Sequence, residues 1–210
     1  MLAAAAILAA GLAAAVPAAS AQPPPFDAEV SPVRWAELRH TYRAGCPVPP
    51  RELRTLRLRY WGFDGRPRTG VLVVSRRVAN DLVGVFRRLY AARFPIRRMV
   101  SVSAYRGSDD ASMAADNTSG FNCRRVYPGG PWSMHAYGLA IDVNPVENPY
   151  VVRGKVSPPA GRRFLDRSHV RPGMAVEGGV LVRAFDVAGW KWGGRWTASL
   201  DYQHFSTNGR

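Results

Sequence analysis

Two short stretches hold the residues best suited to chemistry: Ser133 to Asp142, which reads SMHAYGLAID, and Asp201 to His204, which reads DYQH. Together they offer two imidazoles and two carboxylates. A catalytic zinc site takes three nitrogen or oxygen ligands from the protein and leaves one position open. His135, Asp142 and His204 supply that set, so Zn2+ is the cofactor it implies. Such an ion acidifies water and polarises a carbonyl. Asp201 is then left over as a general base. In a regular strand Asp201 and His204 point to opposite faces, because three residues is an odd step. Asp201 is therefore expected in a bend or bulge just before the strand that carries His204.

The elements that position these residues follow from the apolar pattern. Thr69 to Ser75 (TGVLVVS) predicts a strand. Arg76 to Arg93 predicts a helix, with Val78, Leu82, Val85, Phe86 and Leu89 forming one buried stripe. Phe94-Pro95 ends it. Strands are expected over Met99–Tyr105, Gly138–Val143 and Tyr202–Ser206. In the second of these, Leu139, Ile141 and Val143 would face the core, and Ala140 and Asp142 would face away. A short helix is expected over Gly179–Val187, stopped by Gly189. The mixture lacks a regular βαβ rhythm, which predicts an α+β fold with a small, mostly antiparallel sheet flanked by helices.

The pattern S-x-H-x-x-G-x-A-x-D, carried by Ser133, His135, Gly138, Ala140 and Asp142, is followed far downstream by a carboxylate three residues before a His. This ordered pair resembles the zinc peptidases of the D-Ala-D-Ala carboxypeptidase and L-alanyl-D-glutamate endopeptidase family, whose fold is shared with the hedgehog signalling domain. Asp201 stands where many relatives have Glu, and Asp-Tyr-Gln-His-Phe is closer to the endopeptidase branch. Asp116–Arg124, Asp142–Pro145 and Gly189–Gly194 extend the similarity, which spans about Arg57 to Ser206. The resemblance implies a zinc peptidase that cuts an amide bond in peptidoglycan stem peptides. The competing reading is a cell-wall-binding module that keeps zinc and has lost turnover.

The resemblance also implies an Arg, placed after a Tyr, that stabilises the oxyanion of the tetrahedral intermediate. Tyr105-Arg106 fits that place, and Arg124 competes for it. Asn117, Thr118, Ser119 and Ser133 are candidate hydrogen-bonding groups for a stem peptide, although a polar turn has the same composition. Trp190, Trp192 and Trp196 could line a groove or pack in the core. His40 and His169 read as structural or exposed.

Residues 1–21 predict a signal peptide: an apolar run to Val16, then Pro17 and the cleavage pattern Ala19-Ser20-Ala21. The run lacks an early Lys or Arg, so an uncleaved anchor is the alternative, and only in that case would a membrane be a partner. Residues 22–25 form a Pro-rich linker and 26–210 one peptidase domain. The expected location is secreted or cell-envelope. In an oxidising compartment Cys46 and Cys123 allow one intramolecular bridge, with two separate thiols as the alternative. The chain carries 29 Lys plus Arg against 15 Asp plus Glu, a net charge of +14, and only Lys155 and Lys191 are lysines. Arg dominance suits carboxylate or phosphate partners, such as an anionic cell wall. No nucleic-acid-binding motif accompanies it, so nucleic acid is not expected.

Overall fold

The computed structural model describes residues 22–210, so the signal segment expected over 1–21 lies outside the described residues. The elements, in chain order, are β1 (Ala28–Pro32), α1 (Trp35–Leu38), β2 (Leu53–Trp61), β3 (Pro67–Ser75), α2 (Ala79–Ala91), β4 (Arg98–Met99), α3 (Asp109–Ala114), β5 (Asn117–Thr118), β6 (Ala140–Asp142), β7 (Tyr150–Val152), β8 (Lys155–Ser157), α4 (Val180–Asp186), β9 (Lys191–Trp192), β10 (Leu200–Asp201) and β11 (His204–Ser206). The class is α+β. The strands are split among β1-β2-β3, β10-β7-β8 and β6-β11-β9, all antiparallel, and a parallel pair β4-β5. Among the described residues no helix is long and apolar enough to cross a membrane.

Helix α2 is shorter than its apolar stripe predicts. Val78 closes a turn on Ser75, and Arg93 enters the left-handed region at φ 52°. The stripe itself is buried: Leu82, Val85, Phe86 and Leu89 pack against Leu56, Leu58, Leu72 and Val74. This same core supports the candidate site. Ile141 of β6 and Phe205 of β11 sit directly opposite one another and are fully buried. Phe205 stacks on Phe185 of α4 at 4.1 Å between ring centres. Truncating such a ring costs about 3–5 kcal/mol. By the two-residue period, Asp142 and His204 then project from the other face of the strands that Ile141 and Phe205 anchor.

Three strand expectations change. Of Met99–Tyr105, only Met99 is strand. Val102–Tyr105 coils into a 3-10 turn because the Ser101 hydroxyl accepts from Ser103 N–H at 3.2 Å and Arg106 adopts φ 55°. Gly138 and Leu139 stay outside β6, since Gly138 closes the preceding 3-10 turn at φ 67°. Asp201 and His204 fall on two strands of different sheets, joined by a tight turn at Tyr202-Gln203. The turn, rather than a bulge, resolves the odd spacing. Nine-residue β2 was not expected, although buried Leu56, Leu58 and Tyr60 alternate with the more exposed Arg57 and Arg59.

Cys46 and Cys123 form a disulfide with Cα atoms 5.9 Å apart.

Candidate metal centre and cleft

The register of β6 and β11 puts Asp142 opposite His204. His135 comes from the 3-10 turn Met134–Tyr137, whose first N–H groups are met by the Ser133 hydroxyl, which accepts from His135 N–H at 3.3 Å. The three side chains are buried and converge, with candidate ligand atoms all within 4.8 Å of one another. His135 Nε2 lies 3.1 Å from Asp142 Oδ2 and 3.3 Å from His204 Nδ1, which is 3.2 Å from Asp142 Oδ1.

The outer nitrogens fix the tautomers. His135 Nδ1–H donates to Gly120 O at 2.7 Å, and His204 Nε2–H donates to the backbone oxygen of Arg210 at 3.0 Å. In the neutral rings both inner nitrogens then carry lone pairs, and a carboxylate completes the ring. Three acceptors facing one another repel unless a cation sits between them. A tetrahedral ion with ligand bonds of roughly 2.0–2.1 Å holds its ligand atoms about 3.3–3.4 Å apart, close to the spacing found here. The donor set therefore fits a metal of the zinc type. Burial works against the Asp142 carboxylate, but His135 and His204 outweigh it and hold the group well below the usual carboxylate range. Burial also disfavours charge on His204, yet Asp142 raises its proton affinity. The centre favours positive charge.

Asp201 reaches the same cavity from β10, which pairs with β7 at Tyr150. Its Oδ1 is buried without a hydrogen-bond partner. Burial, reinforced by the charge of Asp142, pushes the carboxyl up to about 7 against the pull of His204, His135 and Arg124. Close packing makes room for it: a Cβ on Gly193 would lie 2.7 Å from Asp201 O and 3.3 Å from His204 Cβ. The cavity holds about 700 Å³ and is walled by Trp132, Tyr137, Tyr150 and Trp196 around these polar groups.

Of the two arginine candidates, Arg124 lines the cavity and pairs with Asp109 at 2.8 Å, with its Nε buried and unpartnered. Arg106 does not line it; as the left-handed cap of a 3-10 turn it is exposed. Asn117, Thr118 and Ser119 are not in the cavity either. Asn117 is fully buried and spends its amide on Val100 and Ser112. Thr118 accepts from Asn144 N–H, and Ser119 bridges Asp142 through its backbone. Thr118 and Ser119 brace the segment that carries Asp142, Asn117 ties β5 to Val100 and α3, and none of the three lines the cavity. Ser133 does line the cavity. Trp190 and Trp192 are core residues, whereas Trp196 lies against His204 with ring centres 5.4 Å apart. His40 and His169 are exposed. Sequence reasoning missed Gln203 and Tyr150 as lining residues. Gln203 sits inside the second motif, so its position was available; Tyr150 had no local signal.

Residues 128–207 match the model of a family described as D-alanyl-D-alanine carboxypeptidase. That stretch of 80 of the 210 residues, which bears the site, is similar to that family. The D-alanyl-D-alanine carboxypeptidase match takes in His135, Asp142, Asp201 and His204, while Arg106, Asn117–Ser119, Arg124 and both cysteines fall before it. No curated protein and no solved structure matches the chain. The family carries a peptidase acting on peptidoglycan as its general activity.

Proposed function

We propose that this chain is a zinc metallopeptidase that hydrolyses an amide bond in peptidoglycan stem peptides, at either a D-alanyl-D-alanine or an L-alanyl-D-glutamate linkage. One observation carries the reading: three inward-facing acceptors of His135, Asp142 and His204 share a cavity with the unpartnered carboxylate of Asp201. Zinc held by the three would supply Lewis acidity for the scissile carbonyl and for water. Asp201 accepts the proton of the attacking water and returns it to the leaving amine. Arg124 offers a guanidinium to the negative charge that develops on the carbonyl oxygen. Trp196, Tyr150 and Trp132 give the peptide an apolar wall.

The proposal includes export. The apolar N-terminal run and the Cys46–Cys123 bridge both suit an oxidising compartment outside the cytoplasmic membrane. It also includes one catalytic domain over 26–210, the first 21 residues serving as a signal peptide.

Digestion of purified peptidoglycan tests the reading. New amino and carboxyl termini, identified by mass spectrometry and abolished by a chelator, are the expected result. Tight sacculus binding with no new termini would establish the zinc-bearing binding module in its place.

A further inference from the structure

A second cavity of about 440 Å³ adjoins the first. Tyr137 and Leu139 line both and form the ridge between them. Both are half-buried, so the ridge faces solvent from either side. Its position depends on Gly138. That residue sits at φ 67°, its carbonyl accepts from Ser75 N–H at 2.9 Å, and a Cβ there would lie 2.5 Å from Ser75 N. The residue after the histidine turn is thereby pressed against the end of β3, where Ser75, Arg76 and Arg77 line the second cavity.

The opposite wall is Pro47-Val48-Pro49, stiffened by two fixed φ angles. It begins one residue after Cys46, whose disulfide partner Cys123 immediately precedes Arg124 of the first cavity. One covalent bond thus ties the far wall of the second cavity to the arginine of the first.

The charges are unequal. Arg51, Arg76 and Arg77 line this cavity with a single acid, Glu52. Glu52 is committed to Arg76 at 2.6 Å. Arg51 and Arg77 are exposed and have no acidic partner among the described residues. Two free planar guanidinium groups over a pre-formed hollow suit a carboxylate.

We propose that this second cavity is an anionic subsite of the cleft, in which Arg51 and Arg77 take a carboxylate carried by the peptide beyond Tyr137. The proposal rests on the stem-peptide reading above. The carboxylate assigned to it is the free α-carboxylate of the γ-linked D-glutamate, which borders one of the two candidate scissile bonds. Its carboxamide counterpart has the same shape without the charge.

Calorimetric binding to the full chain in an Asp201→Asn background, where turnover is suppressed, separates the two forms. The probes are the stem pentapeptide L-alanyl-γ-D-glutamyl-meso-diaminopimelyl-D-alanyl-D-alanine and the same peptide with the glutamyl α-carboxylate amidated. The carboxylate form should bind about tenfold tighter. Adding Arg51→Gln with Arg77→Gln should erase that preference and leave the amidated form unchanged. Adding Arg162→Gln with Arg183→Gln, two exposed changes elsewhere that alter net charge alike, should preserve it. Equal affinity for the two peptides, or a preference that survives loss of both arginines, overturns the subsite and leaves the peptidase reading intact. A chain that binds neither peptide overturns the stem-peptide reading and this proposal with it.

Discussion

His135 Nε2 and His204 Nδ1 lie 3.3 Å apart across 69 residues of sequence, each with its other ring nitrogen donating to a backbone oxygen. In the neutral rings neither inner nitrogen has a proton left to offer the other. With Asp142 contributing two more acceptor atoms, the arrangement is held against its own repulsion by core packing and by whatever cation enters.

The chain as purified should therefore contain about one zinc per molecule. His135→Ala and His204→Ala should each reduce that to near zero by elemental analysis. Stripping the metal should also lower the melting temperature, because binding to the folded state alone stabilises it. A chain that stays metal-free in excess zinc, with an unchanged melting temperature, would sink the assignment.

Asp201→Asn should keep its zinc while turnover on a stem-peptide substrate falls about 10²–10⁴-fold. The base must be ionised to work, and burial lifts Asp201 towards about 7. The wild-type kcat/KM should consequently fall as pH drops, with an inflection above the ordinary Asp value of about 4. A bound cation pulls the inflection down from about 7. The Asn variant should lack this acid limb. Loss of zinc in Asp201→Asn would instead make Asp201 a ligand.

Glu147 predicts a pH dependence of stability away from the cleft. Burial first, then the neighbouring Asp116 carboxylate, pushes its carboxyl up to about 8, and Oε2 has no hydrogen-bond partner. The folded-state value lies above the ordinary Glu value of 4.5. Its stabilising contribution is then complete below about 4.5 and is lost as pH rises through about 8. Glu147→Gln should flatten the wild-type decline in melting temperature over that window and exceed the wild type at pH 9. Parallel melting curves for the two proteins from pH 5 to 9 would contradict this.

Reduction should loosen the cleft. The Cys46–Cys123 bridge spans 77 residues, and closing a loop of this length stabilises by about 4 kcal/mol at most on chain-entropy grounds. Non-reduced protein should show no titratable thiol, and Cys46→Ala with Cys123→Ala should lower the denaturant midpoint. Because Cys123 precedes Arg124, KM should also rise in the double variant at temperatures where it remains folded. An unchanged midpoint would show that the bridge contributes nothing.

The sequence alone carried the identities of the four central residues and the stripe of α2. The stripe is written in a local period of 3.6 residues per helix turn, and the four residues in their ligand-type side chains and in the resemblance of their two motifs to a known family. Ile141 and Phe205 had to face inward, so Asp142 and His204 had to face the other way. The cysteine pair was legible for a simpler reason, since two thiols permit one bridge. Tertiary structure decided everything that depends on which distant segments dock together. Asn117, Thr118 and Ser119 looked like polar binding groups, but none lines the cavity: the Asn117 amide is used by Val100 and Ser112, the Thr118 hydroxyl by Asn144 and the Ser119 backbone by Asp142. Arg124 entered the cavity and Arg106 did not, because a left-handed cap ends the 3-10 turn before Arg106, while the disulfide fixes the segment before Arg124. The split of Asp201 and His204 between two sheets, and the second cavity beyond Tyr137, likewise arise from strand register and from Gly138 meeting Ser75. A local pattern states which face of an element is apolar. It does not state what that face will meet, because that contact is chosen by long-range packing among all the elements at once.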